Sequence, residues 1–388
     1  MKPFDIVVFG ATGFTGGLVC EYLAGQQDDL RWAIAGRNKG RLEAIADGLP
    51  EARRPAVMEA NISDPESMRA MTGQARVLLT TVGPYMKYGE PAIAACVATG
   101  TDYVDITGEP EFVDRMMVKY HQAAVTAGVR LISCCGFDSI PPDLGAFFTV
   151  LQLGDAESKR VEGFVRANGA YSGGTWHSAV EAMANHKGMR EARRLRRPLL
   201  PAIAADRTVR SIKTGIHRRR ELGAWACPLP TIDPDIVKRS ARAREEYGQE
   251  FAYGHYVQVK SFGRMLGGIL GVSAIAGLAQ IPWTRRMLLK HRRPGQGPSE
   301  EERSRGWFTL TFLGQAGERR VKTQVRGGEP GYTETAKMVS ESALALAFGG
   351  DRLPSTSGLV TPAAAMGEVL VERLQRAGIS FEVIEDNA

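Results

Sequence analysis

Asp5-Ile-Val-Val-Phe-Gly-Ala-Thr-Gly-Phe-Thr-Gly16 opens the chain, and Ala33-Ile-Ala-Gly-Arg37 follows one helix later. Ile6 to Phe9 is an unbroken apolar run, the pattern of a parallel strand buried on both faces. Gly10, Gly13 and Gly16 end that strand and open a helix expected from about Phe14 to Ala24. Gly10 permits a sharp turn, Gly13 lets backbone approach a pyrophosphate, and Gly16 lets the helix lie on the strand. Ala11, Thr12 and Phe14 complete the turn, whose free amide donors at the positive end of a helix suit phosphate. A second strand, Arg31 to Ala35, comes at the right distance for a dinucleotide-binding βαβ unit.

The residues that end this second strand bear on which dinucleotide fits. A site for NAD usually places a carboxylate there, accepting hydrogen bonds from the ribose 2′-hydroxyl. This chain has Gly36, Arg37 and Asn38. A carboxylate would repel a 2′-phosphate, whereas a guanidinium holds one through two charge-assisted hydrogen bonds. Arg37 is therefore either the phosphate ligand or a solvated loop arginine, and the expected cofactor is NADP(H).

Strand and helix patterns keep alternating to about residue 134. Helices are expected over about Lys39 to Leu49, after Asp64-Pro65, over Pro91 to Thr99 and near Phe112 to Ala127. Strands are expected near Ala56 to Glu59, Arg76 to Thr81, Tyr103 to Asp105 and Val129 to Cys134. Six short strands alternating with helices predict an α/β fold, a doubly wound parallel sheet of the Rossmann type. Pro141-Pro142 is read as its close. Longer runs of period two follow at Arg160–Val165, Tyr253–Lys260 and Trp307–Leu313, the mark of a second, mixed sheet with one covered face. The end of the chain reads as two helices, Tyr332 to Phe348 and one capped by Thr361 with Pro362 at its first position, then the strand Ile379 to Ile384. The expected organisation is a nucleotide-binding domain over 1–140, a substrate or dimerisation domain over 141–331, and C-terminal elements over 332–388.

A chain of 388 residues exceeds one compact core. Five cysteines without regular spacing predict neither a disulfide framework nor a metal cluster. Cys134-Cys135 follow a strand and read as small buried hydrophobes. The start of the chain goes straight into a strand without a secretory pattern, which points to a reducing, cytoplasmic setting. The net charge of +6 is uneven: twelve Lys or Arg stand against Glu191 and Asp206 between Lys187 and Arg220. No aromatic interleaving or recognition motif accompanies that charge, so nucleic acid is not expected. A solvated face, a phosphorylated or CoA-like substrate, and anionic lipid all fit.

Between Arg264 and Arg285 run twenty residues without a charge, Met265 to Thr284, flanked by Arg285, Arg286, Lys290, Arg292 and Arg293. Four glycines, Gln280 and Pro282 make this a poor spanning helix. It fits a helix lying in a membrane surface, the wall of a lipid-accepting cleft, a buried helix or a subunit contact.

Loops at the carboxyl ends of the strands hold the candidate chemistry, because ligands bind in that crevice. Gly83-Pro84 is placed beside the nicotinamide ribose, with Tyr85 or Tyr88 facing substrate as proton donor or simply packing. Asp105, Glu109, Asp138 and Ser139 either meet substrate or cap helices. Ser172-Gly-Gly-Thr-Trp-His177 opens a further helix capped by Thr175, with His177 an available donor. Tyr256 and Lys260 have the spacing of a short-chain reductase pair but lie in a strand, about 13 Å apart, and are discounted. No spacing suggests a metal site.

In these motifs the chain resembles the saccharopine dehydrogenase-like oxidoreductases, including the trans-acting enoyl reductases. The resemblance is carried by Gly10–Gly16, Ala35-Gly-Arg-Asn38, Val82-Gly-Pro-Tyr85 with Tyr88-Gly89, Gly100–Asp105, Gly136-Phe-Asp-Ser-Ile-Pro141 and Ser172–Thr175. It continues through Pro294-Gly-Gln-Gly-Pro-Ser299, Gly331-Tyr332 with Thr335–Met338, and Thr361–Gly367. It implies an NADP-binding domain, a mixed domain covering the cofactor and pairing subunits into a homodimer, and C-terminal helices that return to the first domain. In the lipid-synthesis branch it also implies NADPH-dependent reduction of a carbon–carbon double bond in a long acyl chain, with membrane association in some relatives; the wider expectation is reduction of an unsaturated or carbonyl group in a hydrophobic acyl substrate. Lysine metabolism does not follow from the name. The family supplies no settled catalytic residue; charge developing on substrate needs a donor, and Tyr85, Asp138 and Ser139 are the candidates. The rival reading is a non-catalytic NADPH-binding scaffold associated with lipid.

Overall fold

The computed structural model describes residues 2–27, 29–169, 173–290 and 297–387. The first half alternates β1 (Phe4–Phe9), α1 (Phe14–Ala24), β2 (Trp32–Gly36), α2 (Lys39–Asp47), β3 (Ala56–Glu59) and α3 (Pro65–Thr72). It continues with β4 (Ala75–Thr80), α4 (Tyr85–Thr99), β5 (Asp102–Asp105), α5 (Pro110–Thr126) and β6 (Arg130–Ile132). The second half comprises α6 (Ile140–Gln152), β7 (Ser158–Asn168), α7 (Gly173–Ala184), α8 (His186–Arg196), β8 (Thr208–Ser211), β9 (His217–Arg219) and β10 (Ala224–Pro228). Then come α9 (Asp233–Ala243), β11 (Glu250–Val259), α10 (Phe262–Ala279), α11 (Pro282–Lys290), α12 (Glu300–Ser304), β12 (Trp307–Ala316) and β13 (Arg319–Gly327). The chain closes with α13 (Thr333–Phe348), β14 (Gly358–Val360), α14 (Pro362–Arg376) and β15 (Ser380–Asn387).

The first sheet is parallel throughout, in the order β14-β6-β5-β4-β1-β2-β3. Strand order reverses between β1 and β4, so the crevice outside their carboxyl ends is the expected ligand site. The second sheet runs β15-β13-β12-β7-β11-β10-β9, with β8 beside the first half of β11. It is mixed: β7 and β11 are parallel, β7 and β12 antiparallel. One continuous core joins the two sheets, running from Ile6 and Ile34 through Leu144 and Phe147 of α6 to Phe251 and Phe312.

Pro141-Pro142, read as the close of the first unit, lie in the first turn of α6, where no amide donor is needed. Two expectations are corrected. Helix α4 begins at Tyr85 instead of Pro91, which sits inside it. The early start is possible because Glu109, from another loop, accepts hydrogen bonds from the amides of Tyr85 (3.0 Å) and Met86 (2.9 Å). Finally, Met265–Thr284 is not a buried helix. Of α10, only Met265 and Ala279 are buried.

The C-terminal elements serve both sheets. β14 extends the first and β15 the second. Helix α13 packs on α1, where Tyr22 donates to Glu341 (2.6 Å) and Arg373 of α14 donates to its other oxygen (2.6 Å). Asp143 in α6 accepts from the amide of Ala363 (2.8 Å), capping α14 from 220 residues away, while Thr361 bonds instead to Ser240 (2.5 Å).

Candidate cofactor and active site

The glycine turn has the geometry its sequence demands. Gly10 adopts φ of 102°, a region that penalises a Cβ. The Gly13 amide donates to the Gly10 carbonyl (3.0 Å), which folds the chain back as α1 begins. A Cβ on Gly16 would stand 2.1 Å from the Gly10 carbonyl oxygen, so helix and strand approach this closely only because the position is glycine. No side chain caps α1 at Gly13. Its first-turn amides are therefore available to an anion. Ala11 is buried; Thr12 and Phe14 are half-buried at the mouth.

Arg37 follows β2 directly and is exposed. No acidic side chain stands between Trp32 and Asn38. Asn38 is drawn into capping α2, accepting from the Arg41 amide (3.0 Å).

Gly83 and Pro84, joined by a cis peptide, sit next to the glycine turn: a Cβ on Gly10 would meet Val82 at 2.8 Å and Thr81 at 2.9 Å. Tyr85 turns away from the crevice, which corrects its reading as a proton donor. Its ring is buried against Phe112 (5.7 Å between centroids), and its hydroxyl donates to the Thr80 carbonyl (3.0 Å). Burial, then the nearby Asp105, holds that phenol well above its ordinary range. Tyr88 is half-buried, its ring beneath the Lys87 ammonium (4.9 Å). Asp105 is also structural: it accepts from Tyr103 (2.8 Å), Ser133 (2.9 Å) and the amides of Thr107 and Cys134 (both 3.0 Å).

The loop after β6 is different. Ser139 has φ of 109° and is fully buried, donating to Asp233 at the start of α9 (2.9 Å). That bond spends its hydroxyl inside the fold, so Ser139 is corrected from donor to positioning residue. Asp233 also accepts from Thr231 (2.6 Å), and Nε2 of His255 lies 3.3 Å away. The hydroxyl of Tyr253 bonds the other ring nitrogen of His255 (3.0 Å). Burial alone would raise the Asp233 carboxyl; the contacts from His255, Thr231 and Ser139 outweigh it and keep the group ionised.

Asp138 stands beside this anion. Its carboxyl packs over Gly108, where a Cβ would come within 2.7 Å of it, and it is half-buried. Burial first, and the charge on Asp233 second, push its pKa up to about 7. A carboxylic acid that keeps its proton near neutrality is what a proton donor requires.

The second half of the chain covers the turn. Tyr332 packs edge-on to Phe14 (4.9 Å), and the Arg303 guanidinium lies over the same ring (5.3 Å). Gly297 touches Phe14 so closely that a Cβ there would be 2.3 Å from the ring. Thr335 accepts from the Phe137 amide (3.0 Å), joining α13 to the Asp138 loop. Ser172, Arg292, Arg293 and 294–296 lie outside the described residues, as do the side chains of Thr175 and His177. Asp233, His255 and Arg303 had no signal in the sequence, because their partners lie far away in the chain; only Asp233-Pro234 is a visible helix start.

A doubly wound sheet, an uncapped glycine turn and a covering second domain define a dinucleotide-binding oxidoreductase fold. A family model described as the saccharopine dehydrogenase NADP-binding domain matches residues 6–132. A Mycobacterium tuberculosis relative, named provisionally as a trans-acting enoyl reductase, is 37% identical, covering 98% of this chain and 97% of its own. The saccharopine dehydrogenase-like oxidoreductase of Mus musculus is 33% identical, covering 100% and 98%. The apo saccharopine dehydrogenase (L-Glu forming) of Saccharomyces cerevisiae has the same fold over 99% of this chain and 100% of that one, at a TM-score of 0.54 and 12% identity. The chain belongs to the saccharopine dehydrogenase-like family of NADP-binding oxidoreductases.

Proposed function

We propose that this chain is an NADPH-dependent reductase of a carbon–carbon double bond or carbonyl in a hydrophobic acyl substrate. The observation that carries the reading is the uncapped glycine turn at the head of α1; the Asp138 carboxyl, pushed up by burial and by Asp233, lies on the loop at the carboxyl end of β6 in the same parallel sheet. The names of the relatives support the enoyl class of substrate.

The residues present fit the cofactor. Gly13 and Gly16 leave the first amides of α1 open to the pyrophosphate, and a Cβ at Gly16 would close that approach. Arg37 would hold the 2′-phosphate, and Gly83-Pro84 would bring backbone to the nicotinamide ribose. When bound, NADPH supplies a hydride. Asp138 delivers its proton to the substrate atom that gains electron density, the α carbon of an enoyl thioester or the oxygen of a carbonyl, and recovers a proton from water. Asp233, fixed by Ser139, Thr231 and His255, keeps its charge and so keeps the Asp138 proton in place. Steady NADPH oxidation with enoyl thioesters, faster for longer chains, is the expected result. NADPH bound without oxidation across that acyl panel would favour the scaffold reading.

Peripheral membrane contact is part of the proposal. Leu270 of α10 is 62% exposed and Trp283 of α11 64%, beside exposed Leu266, Leu278 and Met287. Arg264, Arg285 and Arg286 flank this surface. An apolar face of this kind enters the headgroup boundary while the cations meet anionic lipid. Wild type is expected to float with anionic liposomes, and Leu270→Asp with Leu278→Asp to abolish flotation. A wild type that stays in solution as a dimer, made monomeric by the same substitutions, would make the surface a subunit interface instead.

A further inference from the structure

Helices α8 and α9 flank an open cavity of about 200 Å³ lined by six cations together with Asp235, Leu200 and Val209. The residues at i, i+3, i+4 and i+7 of α9, namely Asp235, Lys238, Arg239 and Arg242, share one helix face. That face looks across at Arg193, Arg196 and Arg197 around the end of α8. Arg196 and Arg239 form the buried base, Lys238 and Arg242 are half-buried, and Arg193 and Arg197 form an exposed rim.

Charge within the cavity does not balance. Six cations line it against one carboxylate, Asp235. Asp114 pairs with Arg196 from behind (3.1 Å), and Arg196 also pairs with Asp235. Arg193 also approaches Asp235 (3.7 Å). The remaining contacts are neutral: Arg239 donates to the Leu359 carbonyl (3.3 Å), Lys238 to Ser211 (2.9 Å) and Arg242 to the Pro201 carbonyl (3.3 Å). Nε of Arg196, whose side chain is 4% exposed, has no hydrogen-bond partner among the described residues. Buried positive charge in such excess is costly without a counter-anion. Guanidinium forks match the planar pairs of oxygens on a phosphoryl group. Burial, and then Arg193 and Arg196, outweigh the pull of Asp235 and hold the Lys238 ammonium below its ordinary range, a burden that an anion would relieve.

We infer that the cavity between α8 and α9 is a binding site for a phosphoryl anion. The site lies close to the proposed active site, since Asp233 at the head of α9 holds Ser139 and the helix advances about 13 Å from there to Arg242. A phosphate ester on a soluble acyl carrier and a lipid headgroup present the same chemistry to it. The inference does not rest on the redox reaction, and its test reads binding alone.

The full chain, saturated with NADP⁺ so that the glycine turn is filled, is titrated calorimetrically with inorganic pyrophosphate. Wild type is expected to bind with an affinity that falls as salt rises. Arg193→Gln combined with Arg197→Gln removes two exposed cations, and with them the long Arg193–Asp235 pair (3.7 Å), and is expected to weaken binding at least about tenfold through lost charge-assisted hydrogen bonds. NADPH affinity should stay unchanged in that variant, and pyrophosphate affinity unchanged in Arg37→Ala. Lys238→Gln provides a second, independent loss. Comparing coenzyme A with its form lacking the 3′-phosphate, and phosphatidic acid vesicles with phosphatidylcholine vesicles, tells the two sources apart. Wild type that binds no phosphate probe, or rim and Lys238 variants that bind as tightly as wild type, would overturn the inference.

Discussion

Asp138→Asn is expected to lower kcat for reduction of the acyl substrate by about two to four orders of magnitude, the usual contribution of a positioned proton donor. NADPH affinity should not change, because Asp138 lies on the loop after β6 and takes no part in the glycine turn. The pH profile separates this from a structural effect. The donor must be protonated, so wild-type kcat should fall as pH rises through about 7, where burial and Asp233 have placed the group. Asparagine does not titrate, so the small residual rate should lose that limb. An asparagine variant that keeps near wild-type kcat and the same profile would remove Asp138 from the chemistry.

The second large effect is steric. Gly16→Ala puts a methyl 2.1 Å from the Gly10 carbonyl oxygen, against backbone that cannot swing aside. Helix α1 must lift from β1, at a cost near the upper end of overpacking, about 3 kcal/mol. A lower denaturation midpoint should accompany loss of cofactor binding, since the displaced amides are the phosphate cradle. Gly17→Ala is the control. Nothing lies within 4 Å of a Cβ there, and it should be neutral or stabilise the helix by up to about 1 kcal/mol. Equal destabilisation by both substitutions would mean that helix propensity, not close approach, governs the turn.

Much of the first sheet was legible because each strand is short, apolar and followed by a helix signal close in sequence. Asp64-Pro65 marks α3 and the three glycines mark α1 without outside help. Features made by distant residues were not legible. The true start of α4 depends on Glu109, more than twenty residues on, and Pro91 was the nearer but misleading signal. The capping of α14 depends on Asp143, which no local pattern connects to Thr361. β14 is three residues long and acquires its identity only by pairing with β6.

The candidate site divides in the same way. Gly10, Gly13 and Gly16 could be read because backbone geometry is written into glycine spacing. Tyr85, Asp138 and Ser139 were indistinguishable in sequence, all being polar residues at strand ends. Their roles follow from where each side chain turns: Tyr85 into the core, Ser139 onto Asp233, Asp138 over Gly108. Asp233 and His255 come from the second half of the chain and meet only in the fold.

Titration of the purified chain with NADPH and with NADH, for wild type and Arg37→Ala, tests the central claim most directly. Wild type is expected to prefer NADPH by at least about tenfold, the worth of a charge-assisted hydrogen bond pair to the 2′-phosphate. Arg37→Ala should remove that preference while leaving NADH binding as it was. Equal wild-type affinity for the two cofactors, or a preference that survives in Arg37→Ala, would contradict the account.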